Sequence, residues 1–147
     1  MKVITSLEAK RREKQIKYER KVLKELSVQH IQKSIYQYFD QIQISSDGWF
    51  KKSAEEGCLD VAIEAYLLGA TFSRFSLDGE PVDKTKRRCQ QERDYLADTL
   101  YYFWLYIGYG EEHFVDQSIE WICKQFVDTW WMEGYEMMLR KYKLRLH

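Results

Sequence analysis

Two pairs of carboxylates, Glu56 with Asp60 and Asp94 with Asp98, come nearest in type and spacing to chemistry. Acids one turn apart on each of two neighbouring helices can hold magnesium against the phosphates of a substrate. Each pair here falls at i and i+4. At about 100° per residue, however, Asp94 and Asp98 lie roughly 160° from the apolar stripe Leu96, Leu100, Phe103 and Ile107. They reach a shared pocket only if Tyr101 and Leu105 form a second buried face, and solvent-facing carboxylates account for the same letters.

The blocks Glu55-Glu56 with Asp60 and Asp94-Tyr95-Leu96-Ala97-Asp98 resemble in part the all-α nucleoside triphosphate pyrophosphohydrolases. That family spaces its acids as E-E-x-x-E and E-x-x-D, whereas this chain has Tyr95 where an acid is wanted. The resemblance implies an alternative reading: a magnesium-dependent nucleotide hydrolase with Glu56, Asp60, Asp94 and Asp98 as ligands. Other catalytic patterns are missing. His30, His113 and His147 are scattered, and Glu111-Glu112-His113 reads as acids at the start of a helix, where the macrodipole favours them. There is no glycine-rich phosphate loop, nucleophile elbow or H-E-x-x-H. Cys58, Cys89 and Cys123 form no C-x-x-C pair and read as buried free thiols in a reducing cytoplasm. No cofactor is called for, and the function expected is non-enzymatic.

Charge offers a different kind of site. The net charge is zero, yet residues 1–33 hold ten Lys and Arg against four Glu, a net of +6, while residues 47–83 hold eight acids against three bases, a net of −5. Lys10, Arg11, Arg12, Lys14, Lys17 and Lys21 crowd one stretch with little apolar surface. Such a cluster suits an acidic partner or phosphates, and a solvated helix face supported by pairs such as Glu13 with Lys17 is the plainer account. A protein partner is preferred to nucleic acid, because the aromatic residues that would stack on bases lie in segments whose charges cancel. The apolar face of residues 8–21 is too thin for a membrane surface, and the longest apolar run, Leu100–Ile107, is far short of the roughly 20 residues of a spanning helix.

The elements that position these residues read as helix throughout. No glycine or proline stands before Gly48, and the lone Pro81 closes a Leu77-Asp78-Gly79-Glu80-Pro81 breaker. One helix is expected over Ser6–Ile44, ended by Ser45-Ser46-Asp47-Gly48, its first half projecting and its second half docking. A second opens on a Ser53-Ala54-Glu55-Glu56 capping box and carries Leu59, Ala62, Ile63, Tyr66, Leu67 and Ala70. Its small residues Ala54, Gly57, Ala62 and Ala70 resemble one tetratricopeptide helix pair, but without a 34-residue echo they read as close packing. A third spans Val82–Tyr109 and ends at Gly108 and Gly110. The fourth spans Glu112–Leu146, with a kink at Gly134. Leu59, Ile63, Tyr66, Leu96, Leu100, Phe103, Ile119, Ile122 and Phe126 are the expected core. The aromatic density from Tyr101 to Tyr135 makes the third helix either central or part of an interface.

The fold class expected is therefore all-α: a single-domain bundle of about four main helices over 1–147, at least about 65% helical, with residues 1–21 as a long basic N-terminal arm. Its length, that arm, the Ala-Ile-Glu-Ala-Tyr-Leu-Leu-Gly block at 62–69 and the Asp-Thr-Leu-Tyr-Tyr-Phe-Trp block at 98–104 together resemble a small family of spore-forming Bacillus-type bacteria. That family is one of unknown function. The resemblance therefore implies no activity and no site residue.

Overall fold

The computed structural model describes residues 2–39, 48–107 and 117–145, of which 92% are helical, with no strand among them. Seven helical segments follow in order: α1 Lys2–Leu23, α2 Val28–Phe39, α3 Gly48–Phe72, α4 Arg74–Leu77, α5 Val82–Arg88, α6 Gln90–Ile107 and α7 Gln117–Arg145. Since α4 is a single turn, the described residues form six helices where four were expected. The expected ends at Ser45-Ser46-Asp47, Gly108 and Gly110, and the Glu111-Glu112-His113 run, lie outside the described residues, as does His147.

Two breaks account for the extra helices. The first segment divides because α1 tightens at its end, with Glu25 N–H bonding Val22 O and Leu26 N–H bonding Leu23 O, and because Ser27 caps α2 by accepting the His30 N–H at 3.3 Å. The third divides at Cys89, whose N–H turns back to Lys86 O at 3.2 Å while its sulfur accepts the Trp131 Nε1–H at 3.2 Å. The turn before α5 uses Gly79 at φ +91, a conformation that side chains rarely adopt. Beyond it, Glu80 accepts from Thr85 Oγ1 at 2.7 Å and from Arg88 Nε at 2.8 Å. Burial pushes the Glu80 carboxyl up, but these hydrogen bonds and the Arg88 charge outweigh it and hold the group below its ordinary value.

The capping box expected at Ser53 lies inside α3, which runs on from Gly48, so the small residues belong to one helix and not to a helix pair. Ala54, Ala62, Ala65 and Ala70 are buried, and α3 packs against α1, α2, α4, α6 and α7. The central helix is thus α3, not the aromatic α6. At Gly134, where a kink is expected, α7 runs on as one helix. Gly134 is where α7 lies against the Tyr66 carbonyl of α3, and Gly69 of α3 lies reciprocally against the Trp131 carbonyl of α7.

Of the expected core, Tyr66, Leu100, Ile119 and Phe126 are buried; Leu59, Ile63, Leu96, Phe103 and Ile122 pack half-buried around them. The largest wholly buried side chains are Trp104, Trp130 and Trp131. Trp130 donates to Ser34 Oγ at 3.1 Å, tying α7 to α2.

All three cysteines are free and buried. Burial, reinforced by the neighbouring Cys123, pushes the Cys58 thiol well up, and burial, with Glu120 adding to it, pushes Cys123 up to about 12. An acid whose folded pKa exceeds its unfolded value contributes stability that is present below the unfolded pKa and lost as pH rises towards the folded one. Stability should therefore decline from about pH 9 upward, measured by denaturant titration across pH. A disulfide reagent at pH 8 should modify none of the three thiols until the chain is unfolded; rapid labelling of the native protein would show that one of them is reachable.

Candidate functional site

The acids singled out for metal binding do not assemble. Glu56, Asp60, Asp94 and Asp98 are all exposed, and Asp94 accepts from Gln90 Nε2 at 2.8 Å. Among the described residues no group of three or more His, Cys, Asp or Glu is placed to hold a metal ion. Asp94 does border a polar hollow of about 310 Å³ between α6 and α7, where Asp128 Oδ1 binds both Lys86 Nζ at 2.9 Å and Arg93 at 3.0 Å. Lys86 and Arg93 also each lie 5.9 Å from the Trp131 ring, so Asp128 is already paired with two held cations.

The basic residues are placed differently. From Ser6 to Lys17 every side chain of α1 is exposed; only beyond it does Tyr18 reach Thr71 Oγ1 at 3.4 Å and Val22 become fully buried. Further on, Lys141 pairs with Glu25 at 3.3 Å. None of the ion pairs among the described residues joins a cation of 10–21 to the acids of α3. Lys10, Lys14, Lys17 and Lys21 recur at i, i+4, i+7 and i+11 and so fall within an arc of about 60° on α1. Arg11 flanks that stripe, and Arg12 lies on the other side of the helix. Leu7, 53% exposed, stands on the edge of the stripe.

Beside α1 lies a groove of about 560 Å³. Its floor is Leu67, Leu68 and Thr71 of α3. One wall is Gln15 and Glu19 of α1, and the other is Gln91, Glu92, Tyr95 and Leu96 of α6, with Glu64 on the rim. Among the described residues three carboxylates and no cation line it. The same exposed face of α6 continues with Tyr102 and Tyr106, at i+7 and i+11 from Tyr95, together with Asp98. The aromatic-rich segments thus divide: Trp104, Trp130, Trp131 and Tyr135 enter the core, while Tyr95, Tyr102, Tyr106 and Trp121 face outward. Tyr109 lies outside the described residues.

Sequence reasoning did not find the groove. Its floor and two walls come from separate parts of the chain, and the local signal was the i, i+7, i+11 spacing of Tyr95, Tyr102 and Tyr106, about 110° around α6 from the stripe of Leu96, Leu100, Phe103 and Ile107. No helix among the described residues is long and apolar enough to cross a membrane.

Comparison with known proteins gives the chain a lineage. It is 29% identical over 140 residues to the uncharacterized protein YbaK of Bacillus subtilis (strain 168), covering 92% of each chain. No solved structure gives a significant match. The model of one family, described as a protein of unknown function (DUF2521), matches residues 1–147 from end to end, and the chain belongs to that family.

Proposed function

We propose that the chain is a non-enzymatic helical interaction module of the reducing cytoplasm, which presents α1 as a basic arm to an acidic protein partner. The observation that carries this reading is the lysine stripe Lys10, Lys14, Lys17 and Lys21. Its upper part stands on a helix surface with no buried residue, and its lower end is anchored by Tyr18 and Val22. Long-range attraction between such a stripe and an acidic surface guides encounter and fixes register more than it adds affinity. Arg11 and Arg12 extend the charge around the helix. Nucleic acid is the poorer fit, because the exposed tyrosines that could stack on bases share their face with Glu92 and Asp98, which repel phosphate.

The arm bears little of the fold. Deleting residues 1–14 should leave the remaining helices intact and lower the thermal midpoint by only a few degrees, since exposed charges contribute about 0–1 kcal/mol each. Loss of cooperative unfolding in the truncated chain would make α1 an integral packing member. Replacing Lys10, Arg11, Arg12, Lys14, Lys17 and Lys21 by glutamine should leave the circular dichroism unchanged. Proteins of the native host that the wild-type chain retains at low salt should then no longer be retained. Equal retention by both forms would refute the arm as the binding element.

A further inference from the structure

We propose that the acidic surface met by α1 is the groove between α1, α3 and α6 of a second copy of the same chain, so that two copies exchange their arms. This rests on the arm's role as a binding element and names its partner.

Charge complementarity within one sequence is the ground for it. The groove carries Glu19 and Glu92 on its walls and Glu64 on its rim, with no Lys or Arg among the described residues that line it, and Leu67 and Leu68 on the floor with Leu96 and Tyr95 beside them give it an apolar surface. A partner for such a groove must be a helix with cations along one stripe and an apolar side chain beside them. The first exposed turns of α1 are of that kind: Lys10, Lys14 and Lys17 on one stripe, with Leu7 at its edge and more than half exposed.

In its own molecule the stripe cannot serve. Gln15 and Glu19, on the side of α1 that forms the groove wall, lie about 100° or more around the helix from Lys14, so the lysines are turned away from the groove they would complement. A second copy related by a two-fold axis removes this conflict, because each arm enters the other's groove and both contacts form at once, as in an isologous interface. At about 1.5 Å per residue, Ser6–Lys17 gives each copy about 18 Å of exposed helix to lay down.

Sedimentation of the full chain at about 50 mM salt should show a dimer, with dissociation at least about tenfold easier near 0.5 M salt, where screening shortens the reach of charge to a few ångströms. Glu64→Lys with Glu92→Lys, and separately Lys10→Glu with Lys14→Glu, should each give folded monomers. Mixing the two variants should restore a dimer, because the basic arm of the first meets the unaltered acidic groove of the second and the acidic arm of the second meets the reversed groove of the first. Leu7→Glu, at an exposed position that cannot unsettle the core, should weaken the dimer on its own. A chain that stays monomeric to about 100 μM at low salt overturns the proposal, as does a dimer indifferent to Leu7→Glu or to either reversal, or a mixture that stays monomeric. A monomer whose neutralised arm still loses a host protein would refute self-association and leave the arm's role standing. A monomer that loses nothing would refute both.

Discussion

Replacing Gly134 by alanine is expected to destabilise the protein by about 3 kcal/mol or more, although alanine is the better helix former by about 1 kcal/mol. The reversal comes from the crossing of α3 and α7. A Cβ on Gly134 would overlap the Tyr66 carbonyl oxygen and stand 2.7 Å from its carbon. Backbone is not a flexible neighbour, so the two helices must separate, and the packing of α3 against α7 loosens along the crossing. Gly69→Ala should cost as much, since its Cβ would overlap the Trp131 carbonyl oxygen and lie 2.8 Å from that carbon. Gly57→Ala is the control: the three atoms nearest its Cβ all belong to the ring of Phe103, a half-buried side chain able to turn. In a chain of this size, where 1 kcal/mol moves the thermal midpoint by about 2–4 °C, Gly134→Ala and Gly69→Ala should each lower it by about 10 °C and Gly57→Ala by much less. Midpoints within about 2 °C of wild type for either of the first two would mean that the helices do not cross at these glycines.

That pair of glycines also shows how far local pattern reaches. The faces of Tyr66, Leu100, Ile119 and Phe126 were legible because each repeats within a few turns of one helix. Gly134 carries the same letter whether it kinks a helix or admits another backbone, and the residue that decides, Gly69, is remote in sequence. The break at Ser27 was legible only in part: Val22 with Leu26 and Ile31 with Ile35 each recur at four, but the step of five from Leu26 to Ile31 turns the stripe by about 140°, and the cap itself is one hydroxyl. For the candidate site, the concentration of Lys10 to Lys21 could be seen directly. The acidic rim could not, because Glu19, Glu64 and Glu92 become neighbours only when α1 and α6 lie on either side of α3. The carboxylates that sequence did single out, Glu56, Asp60, Asp94 and Asp98, are exposed and are not drawn into one cluster.

The second large effect is expected at Trp130, the most deeply buried of the side chains that join α7 to α2 through a hydrogen bond. Its ring is almost wholly buried, meets His30 edge-on with centroids 5.2 Å apart, and donates its N–H to the buried Ser34. Trp130→Ala removes both the packing and the donor, and should cost about 3–5 kcal/mol. Ser34→Ala keeps the ring but leaves its N–H without an acceptor, at about 1–3 kcal/mol. Trp130→Phe gives up the donor with less volume and should fall between the two. Ser34→Ala added to Trp130→Phe should then cost little further, because the hydroxyl has already lost its partner, and this shortfall from additivity measures the bond. The damage should also be regional. Because α2 is short and is held chiefly through Ile31, Ser34, Ile35 and Phe39, amide exchange in Trp130→Ala should quicken most across Val28–Phe39. The α3–α7 crossing at Gly69 and Gly134 should stay protected nearly to the global limit. Uniform loss of protection over both regions would show that α2 is not a separable layer but part of the same cooperative unit as α3 and α7.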